Sequence, residues 1–338
     1  MSHEAVPAPA PGAGAWTSAE VEVLARAVLR APSVHNTQPW AVEPKDGAVL
    51  LRERTDVALP QHDPGRRDLA MSCGTALANL ELAVRVLGRR ADVEILPDPA
   101  RPDVVARVDA ATRCGPSAED LARFAAIAAR RSHRGRFGGL PVARRQVERV
   151  ARAAVTTGAE AVPLTDAGEL AELFGHAARA IGDDGAYQRE LALWTIRDEV
   201  GHRHGVGLGR TVAPPGQLPW AGLVRRATEV PEPRVLRSRL AAETFLLFLT
   251  ADDSRADHVR AGYALERGWL EAVTLGLSAA VLTQPLHVPE VRSALCEDRG
   301  LAGFPQALMR LGRPAGNAPA SLRRGVGEVL VGAFWSES

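Results

Sequence analysis

Apolar residues along this chain fall into two rhythms, one of about 3.6 residues and one of two. Val21, Leu24, Ala25, Val28 and Leu29 repeat at helical spacing behind Thr17-Ser18-Ala19-Glu20, where threonine and glutamate suit a capping box. Pro32 prevents that helix from continuing. Residues 40–42 and 48–51 then read as two strands around the Asp46-Gly47 turn. A long helix is expected from about 68 to 87, with short strands at 93–96 and 104–108.

The second half repeats part of this order. Gly74-Thr75-Ala76-Leu77 matches Gly262-Tyr263-Ala264-Leu265 at an offset of 188 residues, and at that offset Leu82 meets Leu270, Val84 meets Ala272, Leu87 meets Leu275 and Gly88 meets Gly276. Strand-like runs flank this second helix at 245–249, 279–282 and 307–311. Helix-spaced apolar residues coincide easily, but several in register with two glycines favour duplication. A length of 338 residues accordingly suggests two domains or one double-sized unit. The division expected is a disordered tail over 1–15, one half over 16–115 and a second over 116–338. Gly and Pro crowd the stretch from 201 to 220, so an irregular lid is expected over about 198–235, with Leu218 and Trp220 available to cover an apolar surface.

Composition narrows the function classes. The chain is 46% hydrophobic and 24% charged with a formal net charge of +1, and Lys45 is its single lysine. A near-neutral balance with no matching motif argues against nucleic-acid binding. Cys73, Cys114 and Cys296 are scattered, which fits a reducing compartment and no zinc site. No unbroken apolar run reaches 18 residues and the first 15 lack a signal-peptide pattern, so a cytoplasmic location without membrane partners is expected. His202-Arg203-His204 has no acidic or cysteine partner nearby. Gly205-Val206-Gly207-Leu208-Gly209-Arg210 mimics a dinucleotide loop but lacks a preceding strand.

The most informative run is Ala31-Pro32-Ser33-Val34-His35-Asn36-Thr37-Gln38-Pro39-Trp40. Chemically it is either a helix stop and turn, or a turn offering N–H groups, a hydroxyl and two side-chain amides to a flat polar heterocycle. His35 would then reach a substrate or face solvent. A second run, Arg130-Arg131-Ser132-His133-Arg134-Gly135-Arg136-Phe137, places three guanidinium forks and a hydroxyl within five residues.

Both runs resemble signatures of the FMN-dependent nitroreductase family. The first matches APSxxNxQPW at every fixed position, and the second resembles RRSxRxF…PV, with Arg136 as one extra residue before Phe137 and with Pro141-Val142 following. Leu311-Gly312-Arg313-Pro314 looks like the family's LGYP, with Arg313 in place of the aromatic. In ordinary members the Arg-Arg-Ser opening precedes the Pro-Ser-Asn turn within one unit, whereas here the turn lies in the first half and the opening in the second. The order resembles the Acg-type subgroup, in which two nitroreductase-like units share one chain.

The resemblance implies an α+β fold, mainly antiparallel sheets flanked by helices, in which two fused halves form a pseudo-dimer with one FMN between them. It implies that Pro32, Ser33, Val34, Asn36 and Gln38 face the flavin from the first half. Arg130 and Ser132 would bind phosphate or ribityl oxygens, Arg131 and Arg134 would serve phosphate and ring, and Arg134 would stand near N1 and O2. The loop Thr283-Gln284-Pro285-Leu286 would pass N5, and Arg323 and Arg324, ahead of Val329-Leu330-Val331, would be further phosphate ligands. The implied activity is ping-pong reduction of a nitroaromatic, quinone or similar small-molecule acceptor by NAD(P)H. The alternatives are a lid-covered flavin store with little turnover, or an interaction protein that keeps the fold without cofactor. The assembly would be a monomeric pseudo-dimer or a further homodimer.

Overall fold

The computed structural model describes residues 15–45, 47–196, 202–207, 217–316 and 318–332. The expected tail therefore lies outside the described residues except for Ala15. Helix α1 (Ser18–Leu29) opens on the expected capping box, with Glu20 N donating to Thr17 Oγ1 and Thr17 N donating to Glu20. It turns Leu24 and Val28, both fully buried, into the core, a burial that stabilises by about 1.5–3 kcal/mol per side chain.

Strands β1 (Trp40–Lys45) and β2 (Ala48–Glu53) form an antiparallel hairpin. Helix α2 (Arg67–Val86) follows, then β3 (Asp92–Ile95) and β4 (Val104–Asp109), giving an antiparallel sheet ordered β1-β2-β4-β3. After α3 (Ala118–Ala129) and α4 (Arg144–Ala154) comes β5 (Ala159–Leu164). An insertion then carries α5 (Ala171–Asp183), α6 (Gly185–Leu193), the short β6 (Thr195–Ile196) and β7 (Val206–Gly207), and α7 (Pro233–Ala241). The chain resumes with β8 (Thr244–Thr250), α8 (Arg255–Thr274), β9 (Ser278–Leu282), α9 (Pro289–Arg299) and β10 (Phe304–Gly312). The second sheet, ordered β5-β8-β10-β9, is again antiparallel throughout. With β1 set against β5 and β2 against β8, the two sheets share one strand order.

Helices α2 and α8 are each 20 residues long, and both their first and last residues differ by the 188-residue offset. They pack directly on each other. A Cβ on Gly74 would strike the Val259 carbonyl and stand 2.7 Å from Tyr263 N, and one on Gly262 would strike the Met71 carbonyl. Met71 and Val259 are themselves one offset apart, so the contact is reciprocal, as between two copies of one surface across a twofold axis. Only residues without a side chain allow this backbone approach.

Eighteen of the 20 residues of α2 are buried. By averaged hydropathy it is, among the described residues, long and apolar enough to cross a bilayer, which inspection for unbroken apolar runs overlooks, yet 89% of that window is buried in this fold. It is a core helix.

Two irregular segments cross between the halves. Residues after α3 run along the edge of the second sheet, where His133 N donates to Ala279 O at 2.9 Å. Near the C-terminus, Val42 N donates to Val329 O at 2.7 Å and Val331 N to Val42 O at 2.9 Å, adding the terminal segment beside β1. The expected lid is partly regular. Within it β7 pairs in parallel with β6, Pro219–Ala221 forms a 3-10 turn and α7 begins at Pro233, while residues 197–201 and 208–216 lie outside the described residues.

The helix crossing yields a stability prediction. Gly262→Ala should lower the unfolding free energy by about 1–3 kcal/mol, the range for overpacking a tight core. Gly65→Ala, where a Cβ meets nothing within 4 Å, should stay within about 0.5 kcal/mol of the parent. Equal denaturation midpoints for both variants would show that the crossing has room to spare.

Candidate functional site

A groove between the halves contains two adjoining cavities that share Pro32, Ser33, Ser132 and Arg134. The first is walled largely by apolar side chains from both halves, including Met71 of α2, Leu265 and Trp269 of α8, and Trp220 of the insertion, with Thr283 and Gln284 at one edge. The second carries the cationic groups, with Arg130, Arg134 and Arg323 on its walls beside Asn36 and Gly205. A flat ring suits the first and an anion the second.

The turn that follows α1 is strained. His35, Asn36 and Gln38 have φ of 45°, 55° and 53°, in the left-handed region that non-glycine residues seldom occupy. Hydrogen bonds hold it there. Gln38 N donates to Ser33 Oγ at 3.0 Å, Val34 N to Ser72 Oγ at 3.0 Å and Thr37 Oγ1 to Val34 O at 2.9 Å. This conformation corrects one expectation: Asn36 lines the second cavity and Gln38 lines neither, yet both amides are already engaged by protein groups. Asn36 Nδ2 donates to the Gly205 and Leu322 carbonyls while its oxygen accepts from Arg323 at 2.9 Å. Gln38 donates to Arg203 O at 2.8 Å and accepts from Arg324 N at 2.9 Å. The amides fasten three distant segments into one wall. His35 is buried, lines the first cavity and does not face solvent.

The guanidinium groups are packed against one another. Arg130 is buried, its charge paired with Glu266 at 3.3 Å, with its Nη2 donating to Arg30 O at 3.0 Å and its plane 4.6 Å from the Trp269 ring centre. Arg323 is pushed down to about 9 by burial and by the charges of Arg130, Arg30 and Arg131. Glu266, the carboxylate that offsets them, is itself pushed up to about 8 by burial, against the pull of Arg130 and Arg323. Positive charge is thus concentrated at the second cavity and weakly compensated.

Not every expected ligand stands there. Arg131 lies outside both cavity walls, and its Nη1 donates to Ala128 and Arg130 carbonyls. Arg324 sits with Arg54 and Glu328 on the far side of the Gln38 anchor. Pro285 and Leu286 are buried in the short 284–287 turn and line neither of these cavities, whereas Thr283 and Gln284 line the first. The Arg-Arg-Ser run and the Leu311-Gly312 run fold together, since a Cβ on Gly312 would collide with the Phe137 ring. The described part of the glycine-rich run rests on the strained turn, with Gly205 N donating to Asn36 O at 3.3 Å.

Sequence reasoning missed a cluster at the floor of the first cavity. Asp68 Oδ2 accepts from Thr283 Oγ1 at 2.6 Å and lies 3.2 Å from His62 Nε2 and 2.9 Å from His287 Nε2. Nothing in the spacing links a histidine at 62 with another at 287. Trp269 and Ser72 were hidden in a second way, as ordinary members of core helices.

No family model matches the chain. A 317-residue alignment pairs it at 31% identity, over 92% of this chain and 90% of the other, with a Mycobacterium tuberculosis protein named "Putative NAD(P)H nitroreductase Rv3131". A protein of the same organism named "Putative NAD(P)H nitroreductase acg" is 28% identical over 93% of this chain and 97% of its own length. Among solved structures, a nitroreductase with bound FMN from Bacteroides fragilis aligns with 62% of this chain and 98% of its own at 15% identity and a TM-score of 0.41. The first of these likenesses, sustained along nine-tenths of both chains, makes this protein a member of the nitroreductase family.

Proposed function

We propose that the groove binds one FMN per chain and that the protein is an FMN-dependent NAD(P)H oxidoreductase acting on nitroaromatic, quinone or related acceptors. The observation that carries this reading is the junction of a cavity walled by Met71, Leu265, Trp269 and Trp220 with one that holds Arg130, Arg134 and Arg323, of which Arg130 and Arg323 have Glu266 as their carboxylate partner. A planar tricyclic ring ending in a phosphate dianion has that same division of character. Bound there, FMN would supply hydride acceptance from NAD(P)H and hydride donation to the second substrate, by ping-pong turnover.

The chain's own residues bind and orient. Arg323 and Arg130, with Ser132 and Arg134, would face phosphate and ribityl oxygens, the phosphate relieving the repulsion among the guanidinium groups. Ser33, Val34 and Pro32 would border the ring from the first half, and Thr283 and Gln284 from the second. Trp220, itself 3% exposed and set edge-on to Phe174 at 5.4 Å, would close one side and exclude water.

We also read the chain as two fused nitroreductase-like units, supported by the shared strand order and the reciprocal α2–α8 contact. Among the described residues, one groove is suited to a flavin. At the 188-residue offset, Ser72, Thr75 and Trp269 of the groove correspond to Arg260, Tyr263 and Glu81. Glu81 is bound by Tyr263 Oη, Arg85 and Arg267, so ion pairs fill the mate position.

The rival reading, a flavin store, draws on Trp220 and Gly222 at the cavity wall, where they would limit access for nicotinamide. An anaerobic titration with NADH and NADPH decides between them. Bleaching of the flavin band within the turnover time supports the enzyme, and a flavin that stays oxidised supports the store.

Two further outcomes are expected. Acid extraction of saturated protein should release FMN at a ratio near one per chain, and a ratio near two would overturn the single-groove reading. Arg323→Ala should weaken FMN binding by about 1.5–3 kcal/mol, the range for hydrogen bonds to a charged group, while sparing riboflavin. Equal losses for both flavins would mean that Arg323 acts by holding Asn36 and not by meeting phosphate.

A further inference from the structure

A buried partition of ionisable side chains separates the first cavity from a third cleft on its far side. His62 and Gln284 line both spaces, Asp68 lines the first, and His287, Arg67 and Tyr187 line the third. The flavin contacts proposed above use none of His62, Asp68 and His287. We propose that His62, Asp68 and His287 form a proton-delivery chain that draws protons from the third cleft and supplies them to an acceptor held in the first cavity. This inference rests on the flavin-enzyme reading.

The geometry is continuous. One carboxylate oxygen, Asp68 Oδ2, stands between two imidazoles at 3.2 and 2.9 Å, and the His62 and His287 ring centres are 4.6 Å apart. Thr283 Oγ1 fixes that oxygen from the second half. Asp68 lies in the first turn of α2, where the helix dipole favours negative charge. Burial raises the Asp68 carboxyl, yet the charge and hydrogen bonds of its imidazole partners and Arg67 outweigh this and hold it well below the usual range. An ionised carboxylate flanked by imidazoles can take a proton from one and pass it to the other. His62 Nδ1, the far end of the relay, is buried without a partner among the described residues.

The chemistry requires such a group. A quinone reduced to a hydroquinone takes two electrons and two protons. One proton travels with the electron pair as the hydride supplied by reduced FMN, and the other must reach an oxygen separately. In the relay, a proton on His287 crosses Asp68 Oδ2 to His62 Nε2 as His62 Nδ1 releases one to that oxygen. An N–H bond breaks and an O–H bond forms, and His287 regains its proton from water in the third cleft. A half-turn of the His62 ring then carries its remaining proton from the Asp68 side to the cavity side, which resets the relay without a further proton.

The surroundings set the sign of the pH dependence. His35, with its ring centre 4.3 Å from that of His62, is held well below its usual range by burial and then by the His62 charge, so it does not compete for the proton. Arg134 adds positive charge on the cavity side. On the other side stand Arg67 and Asp63, Tyr187, Glu190 (which accepts from His62 N at 2.7 Å), and Asp253 with Arg292. Burial lowers His287 against the pull of Asp68. The protonated relay therefore fills as pH falls below the usual imidazole range, and proton delivery should accelerate in that direction. Two imidazoles and a carboxylate can also ligate a divalent cation, but Arg67 Nε stands 3.8 Å from Asp68 Oδ1, and the unpartnered His62 Nδ1 lacks the acceptor that orients a metal-bound imidazole.

The test compares a quinone, which needs a proton, with ferricyanide, which takes only electrons, in stopped-flow reoxidation of the reduced, FMN-loaded full chain. Asp68→Asn and His287→Gln should slow quinone reduction roughly 10²-fold at neutral pH and abolish its rise with falling pH, while ferricyanide rates stay unchanged. Independently of flavin, the His287 15N resonance of ligand-free protein should titrate below the usual imidazole range, and lower still in Asp68→Asn, where the pull of the carboxylate is lost. Equal slowing with both acceptors, unchanged quinone rates, or stoichiometric Zn2+ binding that Asp68→Asn abolishes would each overturn the relay. A chain that binds no FMN would sink the enzyme reading, and a His287 titration left unmoved by Asp68→Asn would sink the relay alone.

Discussion

The crossing of α2 and α8 is the constraint on which the rest of the molecule depends. Two 20-residue helices meet so closely that backbone touches backbone at Gly74 and Gly262. A side chain at either glycine would push the helices apart, and the groove with them. Each sheet packs on its own side of this pair, while the groove lies where α2 and α8 face the turn after α1 and the edge strand β9. Helix positions within two turns of the crossing, Ser72 and Thr75 on one side and Leu265 and Trp269 on the other, then become cavity wall. The local cost is conformational, since glycine in a helix interior costs about 0.5–1 kcal/mol relative to alanine. That cost is offset by the burial of nearly the whole of α2.

The groove is assembled by polar fasteners from a chain that crosses between halves. Asn36 and Gln38 hold the segments around 205 and 322–324, and the edge of β1 holds 329–331. The left-handed turn persists because Asn36 and Gln38 are each hydrogen-bonded to the segments around 203–205 and 322–324, while His35 between them and the helix is buried. The same arrangement brings arginines together without enough carboxylates to neutralise them. An isolated protein gains nothing from this, which is why the cationic pocket reads as a site and not as packing.

Much of this was legible in sequence. The elements around α1, β1, β2, α2 and α8 follow from period and capping, because apolar spacing reports directly which face is buried. The correspondence of α2 with α8 showed itself partly through Gly74 and Gly262, which keep register and meet at a backbone contact. The segments carrying Ser33, Ser132, Thr283 and Arg323 were likewise found at one groove. Side-chain direction was not legible. Asn36 and Gln38 looked like ligand donors because residue type does not reveal a positive φ, and Arg131 and Arg324 adjoin cavity residues yet point away from them. His62, Asp68 and His287 were beyond reach for another reason: their meeting is produced by the packing of two halves and leaves no spacing to read.

The pairing of Val329 and Val331 with β1 has a consequence for biosynthesis. In chain order the segment after β10 follows the first sheet and both crossing helices, so those elements can fold before it emerges. Arg323 and its contact with Asn36 belong to that later segment, so the anion pocket is the last wall of the groove to be added, on a scaffold whose two helices have already met.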